Sequence, residues 1–389
     1  MKKSLLALAA LTAFAGAASA QSSVTIFGIL DVNARSVDNG PAGTLKTEST
    51  DGLNSSRLGL RGVEDLGSGL SAAFWLEGQL SPDTGGGLKS SATPNGSTIT
   101  TQDWSRRSTV SLIGKFGEIR LGRDYVTTFN NAVTADIWNY VGVATISNVR
   151  LGSGGVGAAS GAALGSGATS SVRTSNMISY FLPSLGGVYG QLSVSAGEGT
   201  VTGSGAGTIN TPTAGNKTVG GLLGYKAGPL NVGAAYLKTY KQDYTTPPAV
   251  TAAMRDDLKT FNGMVTYNFG FATVYGLYEK STYLSADQKY AMAAVTVPFG
   301  ASTFKFSYLR SGGNAYDTKG VLQIGRMKDT EIGLGYQYDL SKRTALYASF
   351  GRNANGSNAQ FTSSSGGNGV GNYFGFTSTG YEGGIRHMF

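Results

Sequence analysis

The sequence predicts an all-β chain closed into a 16-stranded antiparallel transmembrane β-barrel, with a long third external loop folded into the lumen. Three observations carry the prediction. Apolar and polar residues alternate with period two in runs of about ten residues, the length a tilted strand needs to cross a bilayer. The chain is rich in glycine (59) and aromatics (20 Tyr, 17 Phe) and poor in proline (9), a composition suited to tightly packed strands. Beyond the N-terminus no run has the unbroken apolar length of a transmembrane helix, so strands that cross lipid must close on themselves to satisfy their backbone. A secreted soluble sandwich or β-helix would share the glycine and the alternation. Its dry core, however, would not tolerate the polar face that each of these strands presents.

The chain begins with Met1, Lys2 and Lys3, continues with an apolar run from Leu5 to Ala18, and offers the small-x-small pattern Ala18-Ser19-Ala20. That is the pattern of a cleaved secretory signal peptide over residues 1–20. The expected mature domain is 21–389, and loss of Lys2 and Lys3 lowers the formal charge from +8 to +6. This basic balance comes without charge runs or nucleic-acid motifs, so nucleic acid is not expected as a partner. There is no cysteine, which excludes disulfide and thiolate chemistry and suits export through an oxidising compartment.

Each strand follows from its alternation. From Val24 to Ser36, Val24, Ile26, Leu30, Val32 and Ala34 fall on one face, with Thr25, Asp31, Asn33 and Arg35 on the other. Leu258 to Phe269 sets Phe261, Val265, Tyr267 and Phe269 against Thr260, Asn262, Thr266 and Asn268, and Lys328 to Tyr338 repeats the pattern. Strands are predicted to start near 24, 56, 70, 104, 116, 174, 188, 217, 230, 258, 271, 289, 302, 328, 344 and 379. Short Gly/Pro turns such as 65–69, 183–187, 227–229 and 339–343 join them on one side. Longer polar loops at 81–103, 198–216, 241–257 and 354–378 join them on the other, which is the outer-membrane asymmetry. The longest interruption, Tyr125 to Arg173, is expected to enter the lumen and narrow it. Within it, Gly152 to Ser171 is a Gly/Ala/Ser tract without charge or aromatics.

Several stretches resemble the general porins of Gram-negative bacteria, of the β-proteobacterial type with anion-selective relatives. They include Gln21-Ser-Ser-Val-Thr-Ile-Phe-Gly28, Ser56-Arg-Leu-Gly-Leu-Arg-Gly62 followed by Glu64-Asp-Leu-Gly67, and Phe74-Trp-Leu-Glu-Gly78. Arg106-Arg-Ser-Thr-Val-Ser-Leu112, Phe116 to Asp124, Leu340 to Thr344 and Gly384 to Phe389 are similar too, so the resemblance spans nearly the whole mature chain. It implies a water-filled outer-membrane channel for passive diffusion of small hydrophilic solutes and ions, three copies per assembly and a third loop in each pore. It also implies that the terminal Phe389 is read by the outer-membrane insertion machinery as an assembly signal. Independently, Tyr381, Ile385, His387 and Phe389 share a face and would set aromatics at the lipid boundary.

Parity of the strands names the residues expected to line the pore. With Leu58 and Leu60 outward, Arg57 and Arg61 face the lumen. Glu77 and Gln79 lie opposite Phe74 and Leu76, and Glu118 and Arg120 opposite Ile119 and Leu121. Val110 and Leu112 outward would put Arg107 inside and Arg106 outside unless a bulge intervenes, and the resemblance carries a pore arginine onto this pair without choosing a member. In the loop, Asp136 is the one acid against Arg150 and Arg173, and Arg150 resembles the arginine that anion-selective relatives project into the constriction. Guanidinium groups gathered from adjacent strands in a low-dielectric tube attract anions, so small anions and hydrophilic solutes are expected partners, with outer-membrane lipid around the barrel, and the resemblance adds further copies of the chain. A barrel of another class, an adhesin or ligand receptor using 81–103 and 354–378 as contact loops, would lack conductance. No enzyme, metal or cofactor is expected. His387 alone builds neither a zinc site nor a serine–histidine relay, and the glycines of 152–157 lack the Lys-Ser/Thr of a phosphate loop.

Overall fold

A computed structural model describes residues 23–87, 89–92, 99–150, 171–196, 217–240, 257–283, 286–316, 323–363 and 373–389. The expected signal peptide, most of the tract 152–171 and large parts of the loops at 198–216 and 241–257 lie outside the described residues.

Sixteen long strands follow one another around a closed antiparallel sheet: β1 (Ser23–Asp38), β2 (Arg57–Gly67), β3 (Leu70–Ser81), β4 (Arg107–Gly114), β5 (Gly117–Tyr125), β6 (Arg173–Phe181), β7 (Val188–Ser195), β8 (Thr218–Ala227), β9 (Leu230–Thr239), β10 (Leu258–Asn268), β11 (Thr273–Tyr283), β12 (Ala286–Phe299), β13 (Ser302–Tyr316), β14 (Gln323–Asp339), β15 (Thr344–Asn355) and β16 (Ser378–Met388). The predicted starts fall within five residues of these, and the largest difference is at β14. There Arg326 and Lys328 stand on the exposed face ahead of Ile332 and Leu334, so no apolar residue marks the earlier start. The barrel closes where β16 pairs with β1, from Ile29 opposite Met388 to Asp38 opposite Thr379. β1 is longer than one neighbour can cover. Its first half pairs with β2, and its second half with a short strand, Thr44–Thr50, that returns from the first external loop.

Phe389 completes the seam. Its amide donates to the Gly28 carbonyl (3.1 Å), its carbonyl accepts from the Gly28 amide (3.0 Å), and its ring fills the space a β-carbon at residue 28 would need.

The barrel is inside-out relative to a water-soluble protein. Ile26 is 65% exposed and Leu223 60% exposed on the outer surface, while Asp31, Asn262 and Glu279 on inner faces are buried. Such a surface is stable only against hydrocarbon, because it leaves apolar side chains unburied in water.

The interior owes its burial to the third loop. After β5 the chain forms helix α1 (Thr127–Ala135), turns at 136–146, and forms the single turn α2 (Ser147–Arg150). Trp138, Ile146 and Val149 of this segment share one apolar cluster with Met264, Leu277, Met292, Leu309 and Met327 of the inner wall and Phe361 of the last external loop. The segment therefore packs against inward-facing residues of the wall from β7 round to β16. Among the described residues, none of this cluster comes from β2–β5.

Candidate pore-lining site

The loop is held in place by polar contacts to strands distant in sequence. From α1, Thr127 Oγ1 donates to the Tyr236 carbonyl (3.0 Å), Asn130 Nδ2 to Gln191 Oε1 (2.7 Å), and Asn131 Nδ2 to Asn262 Oδ1 (2.9 Å). Asn262 Nδ2 answers by donating to the Thr128 carbonyl (2.7 Å). Beyond α1, Trp138 Nε1 donates to Ser307 Oγ (2.9 Å) and Lys305 Nζ to the Ile137 carbonyl (3.1 Å). The Val143 amide donates to Glu382 Oε1 (3.2 Å), whose other oxygen takes Arg35 at 2.9 Å. These bonds satisfy loop backbone that would otherwise be buried without partners.

Two loop residues expected to face the passage do not, and the structure corrects both. Arg150 is buried in an ion pair with Glu279 of β11, Nε to Oε1 at 2.7 Å. Burial works to lower its pKa, but the Glu279 charge outweighs that, with Tyr140 and Tyr290 adding to it, and the net shift is upward. Its charge is thus neutralised against the wall. Asp136 is also buried and accepts hydrogen bonds from the Trp138 amide (3.1 Å), the Tyr140 amide (3.1 Å) and Thr145 Oγ1 (2.8 Å). Burial pushes its carboxyl above the ordinary value despite these donors. Its work is to brace the turn, because a carboxylate that accepts from three donors of its own loop has little capacity left for solutes.

On the opposite side the strand residues meet as parity requires. Glu77 sits between two guanidiniums, with Arg57 Nη1 at 3.3 Å and Arg106 Nε at 2.6 Å, and it also accepts from Trp75 Nε1 at 3.1 Å. Arg106 and Arg107 both reach the inner side. Arg107 lies opposite Glu77 at the first rung of β4, while Arg106 stands one residue before the strand, its amide bonded to the Glu77 carbonyl (3.1 Å). Released from strict alternation, Arg106 turns inward to Glu77 and to Gln79 Oε1 (3.0 Å). Arg120 grips Glu118 with two bonds (2.8 and 3.0 Å) and Asp124 with a third (2.5 Å). Arg107 approaches the same Asp124 at 3.7 Å.

Aromatic faces keep these cations apart. Trp75 carries Arg107 at 4.5 Å from its centroid and Arg61 at 5.2 Å, and Phe27 takes Arg61 at 5.3 Å. Arg120 lies 4.2 Å from the Phe181 ring. Planar guanidinium groups stack well on such rings. Trp75 and Asp124 were absent from the sequence-derived set, yet both were findable by parity. Trp75 shares the face of Glu77 and Gln79, and Asp124 that of Glu118 and Arg120. Parity turns Glu279, Glu382 and Lys305 inward as well, but their contacts with the loop are visible only in the folded structure.

Comparisons with known proteins agree with this architecture. The family model for Gram-negative porins matches residues 7–381. The outer membrane porin protein 32 of Delftia acidovorans is 36% identical over the full length of both chains. An outer membrane porin protein of Bordetella pertussis is 28% identical over 90% of this chain and 93% of its own. Among solved structures, the anion-selective porin from Comamonas acidovorans superposes with a TM-score of 0.74 at 30% identity, covering 95% of this chain and 100% of that one. A closed barrel of sixteen strands, polar within and apolar without, together with a family match over almost its whole length, establishes that the chain belongs to the Gram-negative porins.

Proposed function

We propose that this outer-membrane porin, a passive channel, prefers anions, that the loop 125–173 forms its constriction, and that the preference is set on the β2–β5 wall. The observation that carries the proposal is a charge imbalance in that sector. Arg57, Arg61, Arg106, Arg107 and Arg120 meet three carboxylates, Glu77, Glu118 and Asp124. Glu77 is shared between two arginines, so it neutralises neither completely. In a low-dielectric tube the residual positive field raises the local concentration of anions and repels cations. The solved relative whose name states anion selectivity supports the same sign. Arg150 and Asp136 contribute through the loop's position rather than through their charge. The resemblance further supports three copies per assembly and an assembly role for Phe389, and cross-linking in detergent reads the first.

The test is reversal potential across a planar bilayer under a salt gradient. The wild-type protein should reverse on the anion side, and Arg57→Ser and Arg107→Ser should each move it toward zero. Cation preference in the wild type would refute the charge argument and leave the channel intact.

A further inference from the structure

Three inward-facing glycines stand side by side across the last strands: Gly333 of β14 lies opposite Gly351 of β15, and Gly351 opposite Gly380 of β16. Gly335 lies two residues further along β14 on the same face. Together they form a trough in the inner wall, and the loop tip is pressed into it. A β-carbon at Gly351 would overlap the Val143 carbonyl and come within 2.5 Å of its carbon. One at Gly380 would lie 2.7 Å from the Ser363 carbonyl and 2.8 Å from the Val143 side chain, and one at Gly333 would lie 2.5 Å from Ser307 Oγ, 2.7 Å from Ala144 Cβ and 2.8 Å from the Trp138 ring. At Gly335 the collision is with Trp138 alone, at 2.6 and 2.7 Å.

We propose that this trough is the seat of the loop: the absence of four β-carbons fixes how far residues 138–144 stand from the wall, and so how much of the lumen they leave open. The inference rests on the reading of 125–173 as the constriction. Polar anchors choose the loop's direction, while the trough sets its depth. The bonds from the Val143 amide to the Glu382 carboxylate and from the Trp138 indole to the Ser307 hydroxyl hold the tip over this trough. Ordinary contact begins at 3.4 Å, so a methyl group here displaces what lies on it, which at Gly351 is the Val143 backbone and at Gly335 the Trp138 ring. Close-packed interiors transmit such a displacement rather than absorb it.

Gly335→Ala tests the seat because only the outer ring of Trp138 opposes it. Gly335→Ala should move Trp138 and residues 142–144 into the lumen in a crystal structure and lower single-channel conductance, on the order of twofold, since a packed contact has no slack. Trp138→Phe removes the colliding ring, so the double variant Gly335→Ala/Trp138→Phe should recover both position and conductance relative to Gly335→Ala. Gly383→Ala on the outer face of β16, where the nearest atom is 3.6 Å away, should change neither. An unmoved tip in Gly335→Ala overturns the proposal, as does failure of Trp138→Phe to compensate. A moved tip with unchanged conductance leaves the seat standing and refutes the constriction reading instead. If Gly335→Ala does not fold, folding of the double variant supports the seat, and its failure to fold overturns it.

Discussion

Glu77 shows how one side chain is shared within the wall. It is almost fully buried, bonds two guanidiniums and an indole, and leaves those two cations with a single counter-charge. Glu77→Gln keeps the shape and removes that charge. The expected result is a reversal potential displaced further toward the anion side, with a loss of stability of about 3 kcal/mol, the lower end of what breaking a buried ion pair costs. Bilayer recording and thermal unfolding in detergent check the two effects separately. A shift toward cations would show that Glu77 acts by orienting the arginines rather than by offsetting them. Parity alone identified Glu77, Arg57, Arg61, Arg107, Glu118 and Arg120 as inward. It left Arg106 open, because that residue precedes the first rung of β4 and no rule of alternation binds it.

At the scale of elements, the loop is the only large piece of irregular chain among the described residues, and the wall is built to receive it. α1 docks through amide side chains on β7, β9 and β10, and the tip through backbone on the glycine trough. Between them, Arg150 ties α2 to Glu279 with both side chains nearly solvent-free. Arg150→Met strands the Glu279 carboxylate and should cost about 3–5 kcal/mol, whereas Arg150→Met/Glu279→Leu should recover most of it, since replacing both members of a buried pair with apolar groups is often neutral. The double change should leave the ion preference as it was, because the pair contributes no net charge to the passage. Unfolding curves of the single and double variants decide it. The helix α1 was not legible in the sequence. Its apolar side packs on inward strand residues, so no water-facing alternation announces it.

For the molecule as a whole, the proposed ion preference rests on a field crossing an aqueous tube. Ion preference should therefore weaken as salt rises at a constant concentration ratio, because the screening length falls from about 30 Å at 0.01 M to about 3 Å at 1 M. A preference independent of salt would place selectivity in size exclusion rather than charge. Closure of the tube depends on a seam held at its end by one residue. Phe389→Ala keeps the backbone bonds to Gly28 but empties the space over it, and should slow folding into lipid vesicles and lower the temperature at which the barrel unfolds on gels. Equal folding rates would confine the ring to a passive place at the lipid boundary.

The sequence by itself determined the barrel, its strand count, the direction in which most strand residues point, and the loop that departs from the pattern. Each of these follows from local periodicity, which lipid outside and water inside impose on every strand alike. Only the tertiary structure decided that Arg150 and Asp136 serve the loop rather than the passage, that Arg106 joins Arg107 on the inner side, and that Gly333, Gly351 and Gly380 stand in one row. Those facts depend on which distant strand a side chain meets, and alternation along one strand carries no information about register across the lumen.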